Sequence, residues 1–215
     1  MRFRTLALGT FILLTAANVS AQTCLGLASF SEGPYQASLG LAFTDGAQGF
    51  SGGAALGSDN AFAGATLGFT NVSNAESGVT AFAANAGATF VVNERERVEA
   101  CPVASVIISR GPDVADVDVN GVGLRAGGRL GIVAVESGNM EVIPTFGLDI
   151  AYDRTKLEVG AVETTARETY AVVRAGVGFV LNKRISLLPS LGVPLGLDDA
   201  DPEFSFVVAY NFGTR

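Results

Sequence analysis

The sequence predicts an all-β protein: a closed antiparallel up-and-down transmembrane β-barrel of ten strands, with eight as the alternative count. Three observations lead there. Apolar residues alternate with small or polar ones along most of the chain, the mark of strands with one apolar face. The alternating runs are mostly about ten residues or a little more, the length a tilted strand needs to cross a bilayer. Only 16% of the 215 residues are charged, against about 25% in an ordinary soluble domain.

The elements follow in chain order. Met1-Arg2-Phe3-Arg4 is a basic start, Leu6 to Ala17 is an apolar run, and Val19-Ser20-Ala21 is a small-residue cleavage site. Together these are the three parts of a secretory signal. The apolar run is too short for a membrane-spanning helix, which needs about 20 residues. Residues 1–21 are therefore expected to be cleaved, 22–33 to form an N-terminal periplasmic segment, and 34–215 to form the barrel. Loss of Arg2 and Arg4 takes the formal charge from −7 to −9. So acidic a chain does not suit nucleic acid, whose partners cluster Lys and Arg.

Tyr35, Ala37, Leu39, Leu41 and Phe43 open the pattern, against Gln36, Ser38, Gly40, Ala42 and Thr44. Asp45-Gly46 breaks it. Phe50 to Leu56, Ala63 to Phe69 and Phe82 to Val92 repeat it with Gly and Ala between. Ala104, Val106 and Ile108 give a weaker run. Val122 to Ala134, Val142 to Tyr152, Ala171 to Leu181, Ile185 to Leu197 and Phe204 to Phe212 complete the ten. The short inner turns are expected at 58–60, 92–100, 136–139 and 181–183. The outer loops are expected at 45–48, 71–78, 111–120, 156–166 and 198–203.

The face opposite the apolar one holds Gly, Ser, Thr and isolated charges. Such a face suits a narrow lumen, while the apolar face suits lipid. Arg125, Arg129 and Arg174 are expected to meet Glu141, Asp149 and Asp153 inside it. Phe43, Phe50, Phe69, Phe82 and Tyr152 would form an outer aromatic belt. Tyr35, Phe90, Phe179, Tyr210 and Phe212 would form an inner one. Period two alone does not say which face is wet. A soluble periplasmic or secreted β-barrel that binds a ligand is therefore the alternative reading.

Cys24 and Cys101 are the only cysteines. An even pair in an exported chain points to a disulfide, here stapling the N-terminal segment across the barrel floor. Asp116-Val117-Asp118-Val119-Asn120-Gly121 has the first half of a calcium loop. Gly127 stands where the bidentate Glu belongs, so the run reads as an acidic solvated loop. Gly121-Val122-Gly123-Leu124-Arg125-Ala126 lacks the strand and helix that give a dinucleotide fingerprint its meaning. No metal or cofactor is expected.

The chain has no His, so a Ser-His-Asp triad or a His-ligated zinc cannot be built. Asp149 and Asp153 lie four residues apart on one strand face, about 13 Å at roughly 3.3 Å per residue, too far to share a proton. The expected role is non-enzymatic: structural, surface contact or a narrow pore.

The last strand carries the sharpest motif, Ser205-Phe206-Val207-Val208-Ala209-Tyr210-Asn211-Phe212. With it, residues 33–212 resemble the bacterial outer-membrane β-barrel superfamily, of the small OmpA/OmpX-like kind. Members usually end in a strand of alternating aromatics closed by Phe. The resemblance implies that Phe206, Tyr210 and Phe212 are read by the barrel-insertion machinery. It also implies location in the outer membrane, with lipid as the surrounding partner and a monomeric barrel. Two departures stand out: Val207 where Gly is often found, and Gly213-Thr214-Arg215 beyond the Phe.

Overall fold

The computed structural model describes residues 22–58, 60–72, 78–111, 117–159, 162–197 and 201–213. After a 3-10 turn at Thr23–Leu25, twelve strands follow. They are β1 Tyr35–Thr44, β2 Ala47–Gly57, β3 Ala61–Val72, β4 Val79–Ala88, β5 Phe90–Asn93 and β6 Val98–Arg110. Then come β7 Val117–Ile132, β8 Val135–Ser137, β9 Met140–Val159, β10 Val162–Leu181, β11 Ile185–Leu195 and β12 Glu203–Phe212.

Two of these are continuations. β4 and β5 pair in turn along β6, and β7 and β8 pair in turn along β9. The wall thus has ten staves, each antiparallel to its sequence neighbour. β1 closes the circle on β12, with Tyr35 opposite Phe212 and Phe43 opposite Phe204. Closure matters because a sheet edge leaves a row of backbone groups unpaired.

The apolar face points outward. Leu39, Phe50, Leu67, Ile108, Leu124, Ile150 and Leu191 are all exposed, and a soluble barrel would bury such a set in its centre. Aromatic contacts mark both ends of this surface. Phe50 and Phe69 lie 5.6 Å apart at one end. Tyr35, Phe212 and Tyr210 stack in a row at the other, 5.8 and 6.3 Å between centroids.

Short turns join the staves at the inner end. Leu181 and Ile185 are joined by a turn in which Asn182 and Lys183 take φ of 50° and 57°. Gly138 sits at φ 59° in the two-residue turn between Ser137 and Met140.

Several expected connections are shorter in the structure: 45–48 narrows to 45–46 and 136–139 to 138–139, and three more differ further. The outer loop expected at 156–166 is strand, for β9 and β10 stay paired out to Val159 and Val162. Residues 117–120 of the expected 111–120 loop belong to β7. The expected inner turn at 92–100 narrows to 94–97. In the first two of these three the alternation changes face: Asp118, Asn120, Lys156 and Glu158 hold the outward parity of Leu124 and Ile150, and Val119 and Leu157 hold the lumen parity, so the apolar stripe that marks a wall strand stops there. The Thr and Val content still favours extended backbone.

Candidate functional site

The N-terminal segment enters the inner end of the barrel and closes it. Three forces hold it there. The first is covalent: Cys24 is bonded to Cys101 of β6, with Cα atoms 5.8 Å apart and 77 residues between them in sequence. The second is polar. The Thr23 N–H donates to the Glu99 carboxylate at 3.0 Å. The Ala28 N–H donates to Ser186 Oγ at 2.7 Å. Asn211 Nδ2 donates to the Ser29 and Ala28 carbonyls at 2.8 and 3.2 Å. Gln36 Nε2 in turn donates to Asn211 Oδ1 at 2.8 Å. Buried polar groups need such partners, because an orphan costs about 1–3 kcal/mol.

The third force is close packing. Ala28 lies among Ile143 and Val180, with Val133 beside them. Phe30 is buried and lies against Gly57, where a Cβ would fall 2.2 Å from its ring. Cβ atoms at Gly131 and Gly178 would fall 1.9 and 2.2 Å from the carbonyl oxygens of Thr23 and Gly26. The wall is therefore stripped of side chains where the plug backbone touches it.

Beyond the plug, charges pair along the lumen face of neighbouring staves. Asp149 of β9 accepts two hydrogen bonds from Arg129 of β7, both at 2.6 Å. It accepts a third from Arg174 Nε of β10 at 3.2 Å. Arg174 also reaches Glu203 at 3.4 Å. The Tyr170 hydroxyl donates to Asp153 at 2.6 Å. Of the six expected lumen charges, Arg129, Asp149 and Arg174 thus meet directly. Asp153 takes a tyrosine instead of an arginine. Glu141 sits nearer the inner end and pairs with Arg97 at 3.1 Å. Arg125 makes no ion pair among the described residues, and its buried Nε has no hydrogen-bond partner.

Sequence reasoning missed Glu99, Gln36, Asn211 and Ser186, the polar residues that seat the plug. Gln36, Ser186 and Asn211 do stand on the polar face of otherwise apolar strands. Nothing in the spacing tells them from ordinary lumen residues. Phe62 was missed as a lumen residue, and its inward parity, opposite to Ala63 and Leu67, was the available signal.

At the outer end, β7, β9 and β10 rise past the other staves as a three-stranded extension. Lys156 pairs there with Glu158 and, at 3.1 Å, with Glu163. These carboxylates, Glu158 foremost, hold its ammonium above the usual lysine range. Residues 162–170 of β10 pair with β9, while β11 joins only from Ala171 onward. Asn120 Nδ2 donates to Asp118 Oδ1 at 3.1 Å within β7. Asp118, Asn120 and Gly121 of the half calcium motif are thus strand residues, and Asp116 lies outside the described residues. Phe206, Tyr210 and Phe212 are on the outward side of β12, which pairs with β1 and β11.

These features define a class: a closed antiparallel β-barrel with an apolar exterior, a polar lumen and an N-terminal plug. No family model matches the chain, and no curated protein matches it. Among solved structures it is similar to the β domain of the Bordetella autotransporter BrkA. That match has TM-score 0.54 and 15% identity, and covers 85% of this chain and 100% of that one. The translocator domain of the autotransporter NalP from Neisseria meningitidis gives 0.46 at 15% identity, over 83% and 87%. Ail, the attachment invasion locus protein of Yersinia pestis, gives 0.43 at 12% identity, over 83% and 97%. The chain shares its fold with the β domain of BrkA.

Proposed function

We propose that this chain is an integral outer-membrane protein with a closed lumen and a non-enzymatic surface-contact role. The observation that carries this reading is the plug: a disulfide-bonded segment seated across one end of the barrel. Ten staves leave little free width inside, and the Arg129–Asp149–Arg174 bridge takes up part of that. A diffusion pore needs a continuous water path, and both features oppose one. The extension of β7, β9 and β10 supports contact with something outside the cell, because it offers a sheet edge at 162–170 beyond the wall.

The outward apolar set supports a bilayer surround and counts against the soluble ligand-binding barrel. The outward aromatics of β12 support its reading by the insertion machinery, after export by the 1–21 signal. The closed wall has no lateral edge that calls for a second copy. Enzymatic activity finds no support in a chain without His whose lumen carboxylates are engaged by Arg129, Arg174 and Tyr170.

Conductance in planar bilayers tests the role. The oxidised protein is expected to insert and stay electrically silent. A steady ohmic conductance from it would overturn the closed-barrel reading. Location is tested by heat-modifiable gel migration and carbonate washing. Release by carbonate alone would favour the soluble alternative.

A further inference from the structure

Above the plug the lumen holds a cavity of about 430 Å³, within the range of small-molecule sites, about 300–1,000 Å³. Its lining divides by chemistry. Phe62, Leu188, Val207 and, from the plug itself, Leu25 supply an apolar part. Arg125, Arg129 and Arg174 supply three guanidinium groups, and Asp149 is the one acid among the lining residues. That acid is already bound by Arg129 and Arg174. Glu203 lies beside Arg174 at 3.4 Å, and Asp153 is taken by the Tyr170 hydroxyl.

Arg125 is left over. Its charge faces no carboxylate within ion-pair distance among the described residues; the guanidinium neighbours the Tyr170 hydroxyl, whose proton goes to Asp153, and its Nε is buried without a hydrogen-bond partner. An N–H buried without a partner is costly. The planar fork of Arg matches a carboxylate through two parallel hydrogen bonds. Because Leu25 belongs to the plug, the cavity is blind at its inner end, so a ligand in it would be held instead of passed through.

We propose that the lumen cavity is a binding site for a small amphipathic carboxylate, whose head pairs with Arg125 and whose apolar body lies against Phe62 and Leu188. The site is independent of any surface contact made by the outer extension. Neither Arg129 nor Arg174 can replace Arg125, since both are committed to Asp149.

The test uses the full mature chain in lipid nanodiscs, disulfide intact, with benzoate as probe. Benzamide serves as the neutral isostere and inorganic phosphate as an anion without an apolar body. Isothermal calorimetry is expected to give one benzoate site per barrel, with benzamide and phosphate each at least tenfold weaker. Side-chain ¹⁵N spectra are expected to show the Arg125 Nε–H resonance shifting on benzoate addition. Arg125→Gln is expected to weaken benzoate at least tenfold while keeping heat-modifiable migration, and Arg125→Lys to recover part of the loss. Absence of benzoate binding to the unmodified barrel would overturn the proposal. Equal binding of benzamide or phosphate would overturn it too, as would a folded Arg125→Gln that binds like the parent.

Discussion

Replacing both cysteines, Cys24→Ala with Cys101→Ala, isolates the covalent part of the plug. The bond closes a loop of 77 residues, and that loop contains the staves from β1 through β5. In the chain-entropy treatment the loss is set by loop length, and 77 residues give about 4.5 kcal/mol at 25 °C. This is an upper value, since the unfolded chain keeps some order of its own. The polar ties from Glu99, Ser186 and Asn211 remain in the variant, so the barrel still closes. The assay is urea unfolding in detergent micelles, followed by heat-modifiable migration with and without reductant. The oxidised parent is expected to unfold at higher urea than the variant, and the reduced parent to coincide with the variant. The slope gauges exposed surface, so it is expected to stay nearly constant. Coincident midpoints for oxidised parent and variant would refute the argument, because the plug would then owe nothing to its staple.

Two further outcomes follow from burial and from facing. Asp149→Asn removes the acid that neutralises Arg129 and Arg174. Stranding buried charge costs about 3–5 kcal/mol, read as a lower urea midpoint that Asp149→Glu partly restores. Leu39→Arg places a charge on the outward face of β1, where the side chain is 71% exposed. It is expected to cost about 2–4 kcal/mol if that face meets the bilayer midplane. Thr164→Arg, on the exposed extension of β10, is expected to stay within about 0.5 kcal/mol. Equal effects of the two in refolding titrations would contradict the assigned lipid face.

The wall of the barrel was legible because its outward face is apolar and its lumen face small or polar, which puts opposite chemistry on alternate residues. Leu39 and Ser38, or Leu124 and Arg125, differ for that reason. In the extension the outward parity turns polar, with Asp118 and Asn120 in β7 and Lys156 and Glu158 in β9, while Val119 and Leu157 take the lumen parity. Lys156, Glu158, Glu163 and Thr165 are strand residues that a search for alternation reads as loop. The plug was half legible. Two cysteines pointed to a staple, but the depth of Phe30 and the burial of Glu99 depend on contacts across 27 and 76 residues. No local pattern encodes separations of that kind. The Arg129–Asp149–Arg174 cluster was legible as a set of lumen charges, and its pairing came from strand register.

Register also explains much of the glycine. Arg129 stands opposite Gly147, Asp149 opposite Gly127 and Asp153 opposite Gly123, while Arg174 stands opposite Gly192. Each long polar side chain lies over a neighbour with none, so a narrow lumen takes ion pairs without widening. A Cβ at Gly147 would fall 2.4 Å from Arg129 Cδ. Gly147→Ala must therefore push the guanidinium off Asp149, and overpacking of this kind costs about 1–3 kcal/mol. Gly68 lies on the same lumen side, but a Cβ there meets nothing nearer than 3.7 Å. Gly68→Ala is expected to be neutral or slightly stabilising, because Gly in a strand interior carries an entropic cost. Urea midpoints of the two variants make the comparison. If Gly68→Ala destabilised as much as Gly147→Ala, the glycines would be serving the backbone and not the side chains opposite them.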